Sequence, residues 1–74
     1  MARVSERDLA QTAIVVSNMT GLRFAIQWAY GKPRLIQWLP TGGERDVSPR
    51  LPSGQLQDWM YAFIAGIDLG IKLR

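Results

Sequence analysis

Neither cysteine nor histidine occurs among the 74 residues, and each absence removes a class of chemistry. Without cysteine there is no disulfide, no thiolate metal site and no thiol nucleophile. Without histidine the commonest general base and the commonest metal ligand are both missing. No serine therefore has a histidine to activate it. Long apolar runs are also lacking. The longest, Met60 to Ile67, is interrupted by Gly66 and closed by Asp68, far short of the roughly 20 residues that span a bilayer. The first eight residues carry acids and no apolar core. No secretory signal is therefore expected, and the cytoplasm is the expected location. Internal repeats, linkers and low-complexity tracts are likewise absent, so the expectation is one domain over 1–74.

What is present sharpens the picture. A chain of this size buries only about 60% of its unfolded surface, so its stability margin is thin. Small domains recover that margin from disulfides, a metal or a partner subunit. With cysteine excluded and 47% of residues hydrophobic, self-association is the remaining route, and a homo-oligomer is expected. Lysine and arginine total nine against six acids, giving a formal charge of +3. That favours anionic partners only mildly. The basic residues are spread from Arg3 to Arg74 with no run resembling a nucleic-acid tail. Seven of the nine are arginine, the residue suited to bidentate phosphate contacts and to stacking.

Four pieces follow along the chain. Ser5 is a good N-cap, and Asp8 three residues later resembles a capping box. Leu9, Thr12, Ala13 and Val16 then share one helical face, and Gly21 is the natural stop. Next, Phe24, Ile26, Trp28 and Tyr30 alternate with Arg23, Ala25, Gln27 and Ala29, the period of a strand. Gly31-Lys32 fits a type II′ hairpin turn, which sets Trp28 opposite Leu35 and Phe24 opposite Leu39. One sheet face would carry Phe24, Ile26, Trp28, Tyr30, Leu35 and Leu39 as core. The other would carry Arg23, Ala25, Gln27, Ala29, Arg34, Ile36 and Trp38. Pro40-Thr41-Gly42-Gly43 reads as a turn into a short strand from Glu44 to Ser48, and the two prolines at 49 and 52 stiffen the loop after it. Ser53 is a candidate N-cap for a last helix, with Leu56, Trp59, Met60, Phe63, Ile64, Ile67 and Ile71 on one stripe and Tyr61 off it. Gly66 and Gly70 either allow close backbone approach or end that helix early. The expected fold is α+β, a small α-β-β-β-α domain whose helices pack on one face of an antiparallel sheet.

Catalysis is hard to assemble from this inventory, and no cofactor or metal is expected. Glu44 and Asp46 share a strand face at i, i+2 and could bind a hard cation, although a solvated turn explains them better. Gly42-Gly43 lacks the downstream Lys-Ser or Lys-Thr of a phosphate-binding loop. Binding is easier. The mixed face offers Trp38 as a stacking surface, Arg34 and Arg23 as anion clamps and Gln27 as a hydrogen-bonding group. Arg45 and Arg50 flank the third strand and could close over a ligand. An aromatic plane beside guanidinium groups suits a nucleobase joined to phosphate. The competing structural reading makes Trp38 and Ile36 part of a subunit interface, where Trp and Arg are also enriched.

Thr20-Gly21, Trp28-Ala29-Tyr30-Gly31, Pro33-Arg34-Leu35, the Gly42-Gly43 turn and Asp46-Val47-Ser48-Pro49-Arg50 precede a Trp- and Gly-bearing helix. In these short motifs the chain resembles a family of small accessory proteins of tailed bacteriophages, over roughly its last three-quarters. The resemblance implies a protein that binds and disables a host component, as some phage proteins do by sequestering cyclic-nucleotide or ADP-ribose immune signals without cleaving them. It carries over no ligand contact. The expectation is a non-enzymatic, homo-oligomeric binding protein for a nucleotide-type ligand. The alternative is a protein–protein inhibitor of a host factor or an assembly factor, and nucleic-acid binding is the weaker third reading.

Overall fold

The computed structural model describes residues 4–73; Arg3 and Arg74 lie outside it. Helix α1 spans Glu6–Thr20, strands β1 Arg23–Ala29, β2 Lys32–Trp38 and β3 Glu44–Asp46 follow, and helix α2 spans Ser53–Lys72. The sheet is antiparallel in the order β1-β2-β3. The domain is α+β, with both helices on one side of that sheet.

Local chemistry sets the ends of α1. Ser5 Oγ accepts from the Asp8 N–H at 3.2 Å, and the Asp8 carboxylate accepts from the Ser5 N–H at 3.0 Å. This reciprocal capping box satisfies two donors that the helix itself leaves unpaired. Gly21 ends the helix at φ 72°, and its N–H bonds to the Ser17 carbonyl, a left-handed cap that glycine adopts without strain. Between these ends Leu9, Thr12, Ala13 and Val16 are buried, the face anticipated from their spacing.

The core lies between the helices and the sheet. Leu9 and Ala13 of α1, Leu35 of β2, and Leu56 and Met60 of α2 form its buried centre. Phe63 stacks on Trp59, with ring centroids 5.3 Å apart, and meets Phe24 edge-on at 6.3 Å. These contacts tie α2 to β1 across the layer. Fully burying a side chain such as Leu35 or Leu56 contributes on the order of 1.5–3 kcal/mol, so these few residues carry much of the stability.

Several expectations are corrected. The hairpin turn is Tyr30-Gly31 rather than Gly31-Lys32, with φ of 55° and 73°. Two positive φ values make a type I′ turn, whose twist matches the flanking strands. Trp28 consequently faces Pro33, Ile26 faces Leu35, and Phe24 faces Gln37. The slip amounts to two residues, so every strand residue keeps its face, because only an odd shift exchanges the faces. Tyr30 leaves the core face and stands 96% exposed at the tip. Leu39 falls outside β2 and is only half-buried. The third strand stops at Asp46, although Val47 and Ser48 still donate their N–H groups to the Leu35 carbonyl.

Helix α2 starts at Ser53 itself, with Pro52 at the N-cap and no side-chain cap. It continues past Gly66 to Lys72, and a Cβ at Gly66 or Gly70 would meet nothing within 4 Å. Neither glycine therefore serves close approach or ends the helix. Each costs about 1 kcal/mol against alanine, offset by the packing of the aromatic stripe. Tyr61 lies off that stripe and is exposed, as its position implied, while Ile71 at the far end is exposed rather than packed. Among the described residues, no helix is long and apolar enough to cross a membrane.

Candidate functional site

The open face of the sheet, opposite the helices, is organised by the register. Arg23 pairs with Trp38, Ala25 with Ile36, and Gln27 with Arg34 across β1 and β2. Trp38 then pairs with Glu44, and Ile36 with Asp46, across β2 and β3. Because directly opposed residues share a face, Arg23, Gln27, Arg34 and Trp38 all stand on this side. Arg45 pairs with Gln37 and belongs to the helix-bearing side, apart from the other candidates. Ile36 is only 2% exposed although no helix covers it. It lies at the centre of the middle strand, flanked on that face by Arg34 and Trp38.

The face divides into two regions of different chemistry. Near the hairpin the polar groups satisfy one another. Arg34 Nε donates to Gln27 Oε1 at 2.7 Å, and Arg34 Nη1 lies 2.9 Å from Asp46 Oδ2. Gln27 Nε2 donates to Glu44 Oε1 at 2.9 Å. Arg50 reaches in from the loop after β3, with Nη1 2.8 Å from the Lys32 carbonyl and Nη2 3.4 Å from Gln27 Oε1. Gln27 thus uses both ends of its amide, and Arg34 is paired with a carboxylate. This cluster braces three strands and the loop. It has little capacity left to clamp a foreign anion.

Loop placement follows from one buried serine. Ser48 Oγ accepts from the Leu35 N–H at 2.8 Å and donates to the Pro49 carbonyl at 2.9 Å. Leu51 N–H then bonds to the Pro33 carbonyl. The segment after β3 is held along the edge of β2, which aims Arg50 across the open face.

At the opposite end the chemistry is unspent. An open cleft of about 630 Å³ lies between the α1–β1 turn and the β2–β3 turn. It wraps the end of the sheet: Arg23 and Trp38 of the open face and Gln37 of the helix-bearing face all line it, and Leu22, Leu39 and Pro40 supply an apolar wall. Trp38 is 43% exposed. Arg23 makes no hydrogen bond or ion pair with another described residue, so its guanidinium is available. An indole, a guanidinium and an apolar wall can hold a flat ring carrying an anionic group.

Of the six candidate residues, the structure brings Trp38 and Arg23 to this cleft. It places Gln27, Arg34 and Arg50 in the polar brace and sets Arg45 apart. Leu22, Gln37, Leu39 and Pro40 were missed as lining residues, since only the β1–β2 register and the two turns bring them together. Glu44 and Asp46 form neither a solvated turn nor a cation pair: they accept hydrogen bonds from Gln27 and Arg34. Their i, i+2 spacing was the visible signal, but its meaning depends on the β2–β3 register. Comparisons with family models, with curated proteins and with solved structures return no match.

Proposed function

We propose that this chain is a non-enzymatic binding protein that takes a nucleotide-type ligand in the cleft at the Arg23–Trp38 end of its sheet. The observation that carries the reading is the direct cross-strand pairing of Trp38 with Arg23, an exposed indole beside a guanidinium that has no partner among the described residues. The base would stack on Trp38, a contact worth about 1–3 kcal/mol, and Arg23 would meet a phosphate. Glu44, the neighbour of Trp38 on its other side, disfavours anions there and directs phosphate toward β1. The resemblance of its short motifs to phage accessory proteins supports the cytoplasm of an infected bacterium as the setting for this activity. There a homo-oligomer of this kind would hold a cyclic-nucleotide or ADP-ribose signal away from its receptor.

Calorimetric titration of the full chain with adenosine monophosphate, a cyclic dinucleotide and ADP-ribose tests the reading. Saturable binding is expected, weakened roughly 5- to 150-fold in Trp38→Ala, which is the fold-change equivalent of the stacking range. Arg23→Ala should weaken phosphorylated ligands more than the free nucleoside. Binding to none of the three would contradict this reading.

A second reading is contact with a host protein, favoured by the apolar wall of Leu22, Leu39 and Pro40 beside Trp38 and Arg23. Tryptophan and arginine are the residues enriched at the energetic centres of protein interfaces. Nucleic-acid binding has less support, because Arg34 and Arg50 are engaged within the fold and leave no basic track along the face among the described residues.

A further inference from the structure

We propose that β1 is the docking edge for a second copy of this chain, the two β1 strands pairing antiparallel about a two-fold axis at Gln27. The sheet has two edges, and they are built differently. β3 is three residues long, Glu44-Arg45-Asp46, and every residue is charged and exposed. Short length and charge are the usual protection of a strand against pairing with another chain. β1 has seven residues, one charge at its first position, and neither proline nor lysine. It pairs with β2 along its whole length without a bulge, so it carries none of those protections.

The backbone groups on that edge can be assigned. Leu35 directs its N–H to Ser48 Oγ and its carbonyl to Val47 and Ser48, while the Pro33 carbonyl accepts from Leu51. Leu35 and Pro33 therefore face away from β1. Alternation across an antiparallel ladder then turns the N–H and C=O groups of their partners, Ile26 and Trp28, to the outside. The outward N–H of Phe24 is already taken by Ser17 Oγ at 3.0 Å. No partner for the outward groups of Ile26 and Trp28 is found among the described residues.

A two-fold at Gln27 uses just those free groups. Ile26 comes opposite Trp28 of the second copy, each such pair exchanging both its backbone hydrogen bonds, and Phe24 keeps its bond to Ser17. The side chains agree with this register. Ile26 against Trp28 is a β-branched–aromatic pair of the kind that stabilises sheets. Over the same edge runs a groove of about 330 Å³ between α1 and β1, lined in part by Ala10, Ile14, Ile26 and Trp28. Ile14 is 56% exposed, and a second α1 would cover it. On the opposite face Gln27 meets Gln27, and Ala25 meets Ala29. Arg23 falls beside Gly31 of the second copy, so no like charges are opposed. The hairpin tip lies along the Phe24 end of the other strand, which covers the otherwise bare Tyr30.

The self-complementary order of the strand selects a second copy over a foreign peptide. Its apolar pair meets itself reversed, and its single charge is displaced to the end, as an isologous interface requires. The pairing also sets Lys32 of the second copy near Leu22 at the rim of the Trp38 cleft. That last consequence alone rests on the nucleotide reading.

Sedimentation velocity of the full chain over a wide concentration series tests the interface. A concentration-dependent dimer is expected. Trp28→Pro removes an outward N–H without breaking a β1–β2 bond, and Ile14→Glu puts a carboxylate in the joint without touching the core. Each should raise the dimer dissociation constant at least tenfold with an unchanged far-ultraviolet circular dichroism spectrum. If Trp28→Pro fails to fold, Ile14→Glu decides. Because the chain has no cysteine, a single Gln27→Cys is an unambiguous reporter. Cross-strand neighbours place their Cβ atoms about 4.5–5.5 Å apart, close enough for a disulfide to form with small adjustment. Oxidation should yield a covalent dimer, whereas Arg45→Cys on the protected edge should not. A monomer at all concentrations, a dimer that Ile14→Glu leaves intact, or cross-linking through Arg45→Cys but not Gln27→Cys would overturn the proposal. All three readouts report mass, so they stand whether or not a nucleotide binds.

Discussion

Gln27 and Arg34 face each other across β1 and β2, joined by a 2.7 Å hydrogen bond from the guanidinium Nε to the amide Oε1. The other end of the amide donates to Glu44, and the other side of the guanidinium meets Asp46. Polar side chains thus link all three strands on the face that no helix covers.

Replacing Gln27 by leucine removes the centre of that brace. A hydrogen bond to a charged group contributes about 1.5–3 kcal/mol when protected from water, and partial exposure reduces this. Gln27→Leu should therefore cost about 1 kcal/mol, lowering the thermal midpoint by about 4–8 °C for a domain of this size. Scanning calorimetry measures it. An unchanged midpoint would mean that the brace contributes nothing to stability.

Ser48 should be the more sensitive position. Its buried hydroxyl accepts from the Leu35 N–H at 2.8 Å, and Ser48→Ala leaves that backbone donor unpaired inside the protein. The expected loss is about 1–3 kcal/mol, seen as a lower urea midpoint. The loop carrying Arg50 should also loosen, with faster amide exchange at Leu35 and Leu51.

The capping box predicts a pH dependence. The Ser5 backbone N–H, then its hydroxyl, hold the Asp8 carboxyl below its ordinary pKa, and nearby Arg7 acts in the same direction. A carboxyl whose folded pKa is depressed contributes stability that is present above its unfolded value of about 3.9. That contribution is lost as pH falls through the lower folded value. Urea midpoints should therefore fall more as the pH drops below about 4 in the native sequence than in Asp8→Asn. Parallel acid limbs for the two proteins would contradict this assignment.

Much of the fold was legible because its signals are local. Ser5, Asp8 and Gly21 announce the first helix by capping chemistry that involves only neighbours in sequence. The alternation from Arg23 to Tyr30 fixes which residues share a sheet face, and that holds for either turn because the two registers differ by an even number of residues. The turn itself is not legible in the sequence because Tyr30 is an unusual occupant of a left-handed position, where asparagine or glycine is the normal sign. The candidate site was legible only in part. Trp38 and Arg23 share the mixed face in any even register, but the satisfaction of Arg34 by Asp46 needs the pairing of β3. The displacement of Arg45 to the other face needs it as well. A three-residue strand gives no periodicity from which to read that pairing.

Tyr30 therefore offers a stabilising substitution. A left-handed conformation costs a residue with a Cβ about 1–2 kcal/mol, with asparagine among the least affected, and the exposed Tyr30 side chain has no packing to lose within one chain. Tyr30→Asn should raise the unfolding free energy by up to about 1 kcal/mol, measured by urea titration under dilute, monomeric conditions. A loss of stability would show that the ring makes contacts within the monomer.

Native mass spectrometry of the full chain, mixed in turn with adenosine monophosphate, a cyclic dinucleotide and ADP-ribose, tests the binding assignment most directly. The expected result is a stoichiometric gain of one ligand mass per cleft, lost in Trp38→Ala. No mass gain with any of the three, or a gain that Trp38→Ala retains, would contradict a nucleotide site at the Arg23–Trp38 cleft.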